Sequence, residues 1–478
     1  MSLLASARQY RVPLIVASAL FMENLDSTVI TTSLPIIARS FAEDVLRLNL
    51  AVTCYLLSLA VFIPLSGWVA DRFGARTVFR TAIGVFTIGS ILCGVSISPE
   101  MFVAARILQG IGGAMMVPVG RLVILRTVPK ADLVRAMSYL TVPALIGPIV
   151  GPALGGFIST YTSWRWIFLI NVPIGVLGMY LATRFLENVR EAGVPRLDVV
   201  GAILSGAGLA ALVFGFETID RGTLPGGIVA ALLAGGALCI AVYVLHARRT
   251  ENAIIDLRLL RIPTFSLATL GGSLFRIGAG AYQLLLPLML QLAFGMTPLG
   301  SGLLQLAGAA GSMPMKMSAP FFLKRFGFRS VLIGTAFING FFLIACGLFT
   351  EATPALLIFV ILLTAGFFRS LLFTSVNTIA YAEVSPPAMS RATSFASMAQ
   401  QLSSSLGVAT GAFLLHEFLG LRGGTELARP DFVYAFIAVG LITFGSALFF
   451  LRLAPNAGAE ISGKAMPERR DADRVSRS

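Results

Sequence analysis

Polar residues punctuate this chain; they do not alternate through it. Apolar runs of about 20 residues, each long enough to cross a bilayer as a helix, are separated by short polar connections. The first six runs cover 12–34, 48–70, 78–98, 101–122, 136–158 and 166–186. Two more, 198–216 and 226–246, are rich in Ala, Gly and Leu and hold almost no internal polar group. Six others follow at 265–290, 299–319, 330–349, 354–378, 393–415 and 432–451. The strand-and-turn alternation of a membrane barrel is absent, so the pattern predicts about fourteen helices and an all-α polytopic membrane protein.

Composition supports lipid as the solvent. The chain is 56% hydrophobic and 12% charged, with a mean hydropathy of +0.85, whereas about a quarter of a soluble domain is charged. A net charge of +13 would suggest nucleic acid in a soluble protein. Here the arginines fall between the spans. Threading the spans alternately puts both termini on one side, whose loops hold roughly four times as many Lys and Arg as the other, so that side is expected to be cytoplasmic. The opposite side has Arg39, Arg47, Arg165, Arg221, Arg422 and Arg429 as its main cations.

Cys54, Cys93, Cys239 and Cys346 lie singly in separate apolar runs, and His246 and His416 stand at span ends. No disulfide framework or metal site follows. The run 12–34 carries two acids and no small-residue cleavage pattern, so it reads as the first span and not as a signal peptide. The segment 453–478 is charged and aperiodic, which predicts a disordered tail. Within it 458–464 fits GxxxxGK by count, but Ala465 replaces the hydroxyl residue and no strand precedes it, so no nucleotide and no cofactor are expected.

Chemistry starts in the first span. Glu23 and Asp26 are three residues apart, on one helix face. Lipid on all sides would not keep either, so that face should look into the bundle or a wet cavity, where acids can exchange protons. Arg106 lies within the fourth span with Gly110 and Gly113 on its face; it needs an acid or carbonyl partner, and Glu23 or Asp26 is the obvious one. A purely structural ion pair is the alternative. The loop 67–77 holds Gly67, Asp71, Arg72, Gly74 and Arg76. Gly67 permits close helix approach, and the charges can meet helix ends or carbonyls, forming a gate latch or, more plainly, anchoring the loop. Gly147, Gly151 and Gly155 are four apart, with Pro148, Pro152 and Gly156 between and beside them. They form a close-packing seam, either a static groove or a rocking contact.

Asp71-Arg-Phe-Gly-Ala-Arg76 reappears as Lys324-Arg325-Phe-Gly-Phe-Arg329, and the same offset carries Glu23 to Arg276. Two six-helix halves, 1–190 and 263–452, with two helices inserted in 191–262, describe this economically. Arg276, Lys316 and Arg369 are further cations in or near spans of the second half; they could meet an anionic or zwitterionic substrate or simply pair with helix carbonyls.

These motifs resemble those of the major facilitator superfamily, most of all its fourteen-span drug:proton antiporter branch. The resemblance covers nearly the whole chain: 25–35 in the first span, 67–77 in the loop, 106–113 in the fourth span, 147–156 in the fifth and 164–173 in the sixth. It implies that Asp26 and Arg106 couple protons to substrate; Glu23 is a candidate for the same role from its place on the helix face of Asp26. The candidate residues for a substrate cavity are Gln109, Gly110, Arg276, Gln283, Arg369 and Asn377. Glu23 departs from the branch, where an amide is common. Lys324 replaces an acid, so the second loop should latch more weakly. The expected protein is not an enzyme but a monomeric inner-membrane exporter exchanging protons for a small molecule. Uptake of a metabolite, or a membrane-embedded enzyme or sensor, are the rival readings.

Overall fold

A computed structural model describes residues 2–43, 48, 50–191, 193–218, 224–296, 298–424 and 427–462. In lipid every backbone N–H and C=O must be satisfied within its own segment, and the described residues are accordingly helical with no strand. The first half comprises α1 (Ser2–Ser40), α2 (Leu50–Phe62), α3 (Ser66–Phe73), α4 (Ala75–Gly94), α5 (Pro99–Thr127), α6 (Leu133–Tyr161), α7 (Trp166–Leu169) and α8 (Asn171–Phe185). A 3₁₀ turn, Ile63–Leu65, joins α2 to α3 into one rod. The inserted pair is α9 (Val199–Thr218) and α10 (Gly226–Arg249). The second half comprises α11 (Pro263–Leu288), α12 (Pro298–Gly347), α13 (Ala355–Ile379), α14 (Met389–Arg422) and α15 (Arg429–Phe450), followed by the short α16 (Ala459–Ser462).

Twelve helices among the described residues are long and apolar enough to cross a membrane. Two further rods of similar length are α6 and the first limb of α12, which bends at Gly327. By length and composition, twelve of the fourteen expected spans are met among the described residues.

In the first half α1 packs along α6, and α5 lies between α2 and α4. In the second half α11 packs on α14 and α15. The first limb of α12 meets α13 where Gly308 and Gly366 touch, and the second limb meets α15 at Gly340 and Phe444. The halves meet where α6 faces α12 and α13, and where α14 faces α3 and α5. The inserted pair is held through α9, which packs on both α2 and α14 at one margin of that seam. Trp68 Nε1 donates to the Pro195 carbonyl at 2.9 Å and Arg391 pairs with Asp256 at 3.2 Å, which fixes the pair's linkers to both halves.

The repeated loop motif has the same backbone in both copies. Gly74 has φ +91° and Gly327 φ +78°, with ψ of 137° and 163°. That corner of dihedral space is nearly closed to residues with a Cβ, which is why both copies keep glycine there. The segment expected to be disordered from 453 is partly packed: Leu453, Ala457 and Ile461 are buried and 459–462 is helical. Apolar side chains at those three positions find a groove at the ends of the spans, and the composition of the tail as a whole concealed them. Residues 463–478, like Arg47 and Arg221, lie outside the described residues.

Candidate functional site

Span order brings Asp26 of α1 beside Arg106 of α5. Arg106 Nη1 donates to Asp26 Oδ2 at 2.6 Å and to Gln109 Oε1 at 2.5 Å. Gln109 Nε2 donates to Asp26 Oδ1 at 2.8 Å and Ser90 Oγ at 2.7 Å. Asn171 Nδ2 donates to the same two oxygens at 3.0 and 3.2 Å. The guanidinium lies 4.3 Å from the Tyr55 ring centroid and 5.8 Å from that of Phe168. Arg106 is 0% and Asp26 2% exposed. A buried charge is tolerated only when paired and hydrogen-bonded, and this carboxylate accepts from three donors.

Of the two surroundings expected, the bundle interior or a wet cavity, the pair has the bundle interior in this structure. It is enclosed within the first half by α1, α2, α4, α5 and the α7–α8 turn. Gly110 explains the enclosure: a Cβ there would stand 2.7 Å from the Tyr55 carbonyl and from Ser58 Cβ, so glycine lets α2 close over Arg106. Gln109 and Gly110 therefore belong to this enclosed network and not to a cavity wall. Of the two acids, Asp26 takes the arginine. Glu23, one turn away toward the helix start, is 9% exposed, and its Oε2 is buried with no hydrogen-bond partner.

The end of the bundle carrying the basic loops is tied across the halves. Asp71 accepts from Ser390 Oγ at the start of α14 and from Arg126 Nη2 at 2.9 Å. The same Arg126 nitrogen reaches Glu191 at 2.9 Å, and Glu191 N–H donates to the Asp71 carbonyl. Ser66 and Ser394 hydroxyls meet at 2.8 Å, and Lys130 pairs with Glu460 at 2.9 Å. A Cβ on Gly67 would lie 2.8 Å from the Ser390 carbonyl oxygen, so glycine permits this approach. Gly74 leaves room for Asn188, which accepts from Thr77 N–H. Arg76 donates to the Leu186 carbonyl at 3.4 Å, while Arg72 is exposed. In the second copy Lys324 and Arg325 are exposed, and Arg329 Nη2 donates to the Leu451 carbonyl at 2.9 Å.

The glycine seam of α6 lies on α1, the helix that carries both acids. A Cβ on Gly147 would stand 2.7 Å from Asn24 Cβ, and Thr28 Oγ1 donates to the Gly147 carbonyl at 3.1 Å. Gly151 abuts Thr28, and Ser33 reaches the Gly155 carbonyl at 3.3 Å. Pro148, Pro152 and Gly156 lie in the same helix, with side-chain positions outside the described ones.

The predicted cavity residues of the second half divide. Arg276 Nη2 donates to Asn377 Oδ1 at 2.9 Å, and both line a small cavity with Thr269 and Tyr381. Arg369 sits 4.6 Å from the Tyr282 ring centroid in a separate apolar cavity with Asn339 and Thr443. Gln283 is exposed and lines neither. A vestibule of about 890 Å³ opens among the basic-end loops, bordered by Arg126, Lys130, Glu191, Tyr381 and Glu383. Sequence reading assigned no role to Asn171, Ser90, Tyr55, Ser390 or Arg121. Only Asn171 carried a signal, as part of the 164–173 stretch.

The chain matches the family described as the Major Facilitator Superfamily over residues 16–245 and 268–474. It is 39% identical over 446 residues to the "Putative multidrug resistance protein MdtD" of Salmonella heidelberg, covering 92% of this chain and 94% of that one. The protein of the same name in Salmonella typhimurium is 38% identical over the same shares. Two solved structures share the fold. The proton:xylose symporter XylE has a TM-score of 0.65 at 16% identity, covering 96% of this chain and 99% of its own. The human organic anion transporter MFSD10 has a TM-score of 0.61 at 15% identity, covering 92% and 99%. The chain therefore belongs to the major facilitator superfamily: it is a multi-pass membrane transporter of small molecules and not an enzyme.

Proposed function

We propose that this transporter is a proton-coupled exporter of drugs or small amphipathic metabolites in a bacterial inner membrane, monomeric, with both termini cytoplasmic. Two six-helix halves alternate access about the central seam. The observation that carries the reading is the enclosed Asp26–Arg106 pair. Protonating Asp26 leaves Arg106 as an uncompensated buried cation, which costs about 3–5 kcal/mol unless the surrounding helices shift. The proton thus changes which arrangement of α1 and α5 is stable. The glycine seam transmits that change, because α6 rides on α1 with one face and on α12 and α13 with another. The Asp71–Ser390 and Asp71–Arg126 contacts are the cytoplasmic latch that breaks in the other state. Glu23 is a second proton position on the same helix face.

The energy is adequate. One charge crossing 100 mV supplies about 2.3 kcal/mol, equivalent to roughly a fifty-fold gradient, so no nucleotide is required. The names of the relatives favour drugs as cargo. The test is Asp26→Asn in everted vesicles energised by respiration. Loss of gradient-driven accumulation with intact folding is expected; undiminished accumulation would refute the assignment. Uptake in place of export predicts the opposite direction of flux in the same vesicles.

A further inference from the structure

Arg121 of α5 and Arg276 of α11 come from opposite halves, and each is only 5% exposed. Unlike Arg106, neither has a carboxylate partner among the described residues. Arg121 donates to Tyr381 Oη at 3.2 Å and to Gln400 Oε1 at 3.3 Å, both neutral acceptors of the second half. Arg276 donates to Asn377 Oδ1, stands 5.7 Å from the Phe373 ring centroid, and leaves its Nε buried without an acceptor. Tyr381 joins the two: it accepts from Arg121, lines the small cavity beside Arg276, and lines the basic-end vestibule as well. Two buried like charges and no acid are costly to hold together. A protein keeps such a pair when something else brings the negative charge.

We propose that Arg121 and Arg276 form the binding site for an anionic group, a carboxylate, phosphate or sulfonate, on the transported solute, admitted from the vestibule past Tyr381. The guanidinium fork presents paired N–H donors that match the two oxygens of such a group. In this structure the cavity beside Arg276 has a volume of about 10 Å³, close to the least that holds one water. The solute therefore binds when the halves part at the basic end. Its charge then offsets the repulsion that opposes their return, so an occupied site favours closure and an empty one resists it. The site is separate from the Asp26 network, which supplies the proton step. The direction of travel rests on the exporter reading; the binding chemistry does not.

The test uses the full chain in phosphatidylcholine nanodiscs with 5-carboxyfluorescein and rhodamine 123 as probes, which share a ring system and differ in charge. Carboxyfluorescein binding, read by fluorescence anisotropy, should weaken by at least about ten-fold in Arg121→Gln and in Arg276→Gln, the loss of one charge-assisted contact. Rhodamine 123 binding should not weaken. Arg276→Lys keeps the charge without the fork and should bind more tightly than Arg276→Gln but less tightly than the unsubstituted protein, which separates charge recognition from misfolding. Absence of carboxyfluorescein binding to the unsubstituted protein, or affinity in either Gln variant undiminished from that of the unsubstituted protein, overturns the proposal. Abolition of binding by added phosphatidylglycerol, with no effect of more phosphatidylcholine, makes a lipid headgroup the occupant and also overturns it. Binding that behaves as expected, without gradient-driven movement in everted vesicles, sinks the exporter reading and leaves the site standing.

Discussion

Neutralising the two ends of the Asp26–Arg106 pair should cost unequal amounts, and the inequality follows from what each leaves behind. In Asp26→Asn the guanidinium stays fully buried without a counter-charge, with only neutral partners: the amide oxygens of Gln109 and of the introduced Asn, and the faces of Tyr55 and Phe168. An uncompensated buried charge costs about 3–5 kcal/mol, of which the ring faces return roughly 0.5–2 kcal/mol. In Arg106→Gln the carboxylate keeps two donors, Gln109 and Asn171. That loss should be smaller, about 1.5–3 kcal/mol, the worth of a hydrogen bond to a charged group. Removing both charges removes the reason for either penalty. The double variant should therefore be more stable than the sum of the singles predicts by about 2–3 kcal/mol, within the range of directly contacting residues. Unfolding by SDS in mixed micelles, followed by tryptophan fluorescence, measures all three. Trp164 and Trp68 are ordered in the first half, against Phe102 and Phe73 respectively. Additivity within about 0.5 kcal/mol would mean that the two groups do not interact in the folded protein, and the switch argued for them would fall with it.

Two backbone positions give further checks. Gly67→Val places side-chain atoms against the Ser390 carbonyl, which cannot yield as a flexible side chain would, so the basic end should be held apart. Spin labels at the exposed positions Glu187 and Ser385, one in each half, should report longer distances; distances like those of the parent would remove Gly67 from the latch. Gly327→Ala forces a Cβ into a backbone region that costs about 1–3 kcal/mol for non-glycine residues. It should lower the unfolding midpoint and leave vesicle transport intact, because Lys324 and Arg325 beside it are exposed; loss of transport at full stability would show that the second loop also gates.

The ion pair and the repeat were legible in the sequence because both are statements about single helices. A carboxylate and an arginine inside apolar runs must find each other, and a glycine recurring at matched positions in two charged loops marks a shared backbone. The surroundings of the pair were not legible. Spacing puts Gln109 and Gly110 on the face of Arg106, but it does not say whether that face meets a cavity or a neighbouring helix. Here the small residue that suggested room for a substrate is what lets Tyr55 approach and eliminates the room. Arg121 was hidden for a related reason: near the end of a span a cation reads as loop anchoring. Only the placement of Tyr381 and Gln400 from the far half shows that it is enclosed.

The two halves divide the work unequally, although their loops share a backbone. In the first half a negative charge ties the basic end together: Asp71 holds Ser390 of the other half and Arg126 of its own. In the second half the matching position is Lys324, which is exposed, and the loop is fixed only to its own half through Arg329 and the Leu451 carbonyl. The first half neutralises Arg106 from within, whereas Arg121 at the seam and Arg276 across it have no carboxylate partner among the described residues. The proposed proton step and the proposed latch thus sit on the same side of the seam, linked through α1 and α6, and the unbalanced charges of Arg121 and Arg276 lie at the seam itself. A solute that supplies the missing negative charge would bind between a half that switches and a half that waits. In an exchanger this keeps protonation and solute binding from competing for one carboxylate, so the two ligands influence each other through the helices that pack between them.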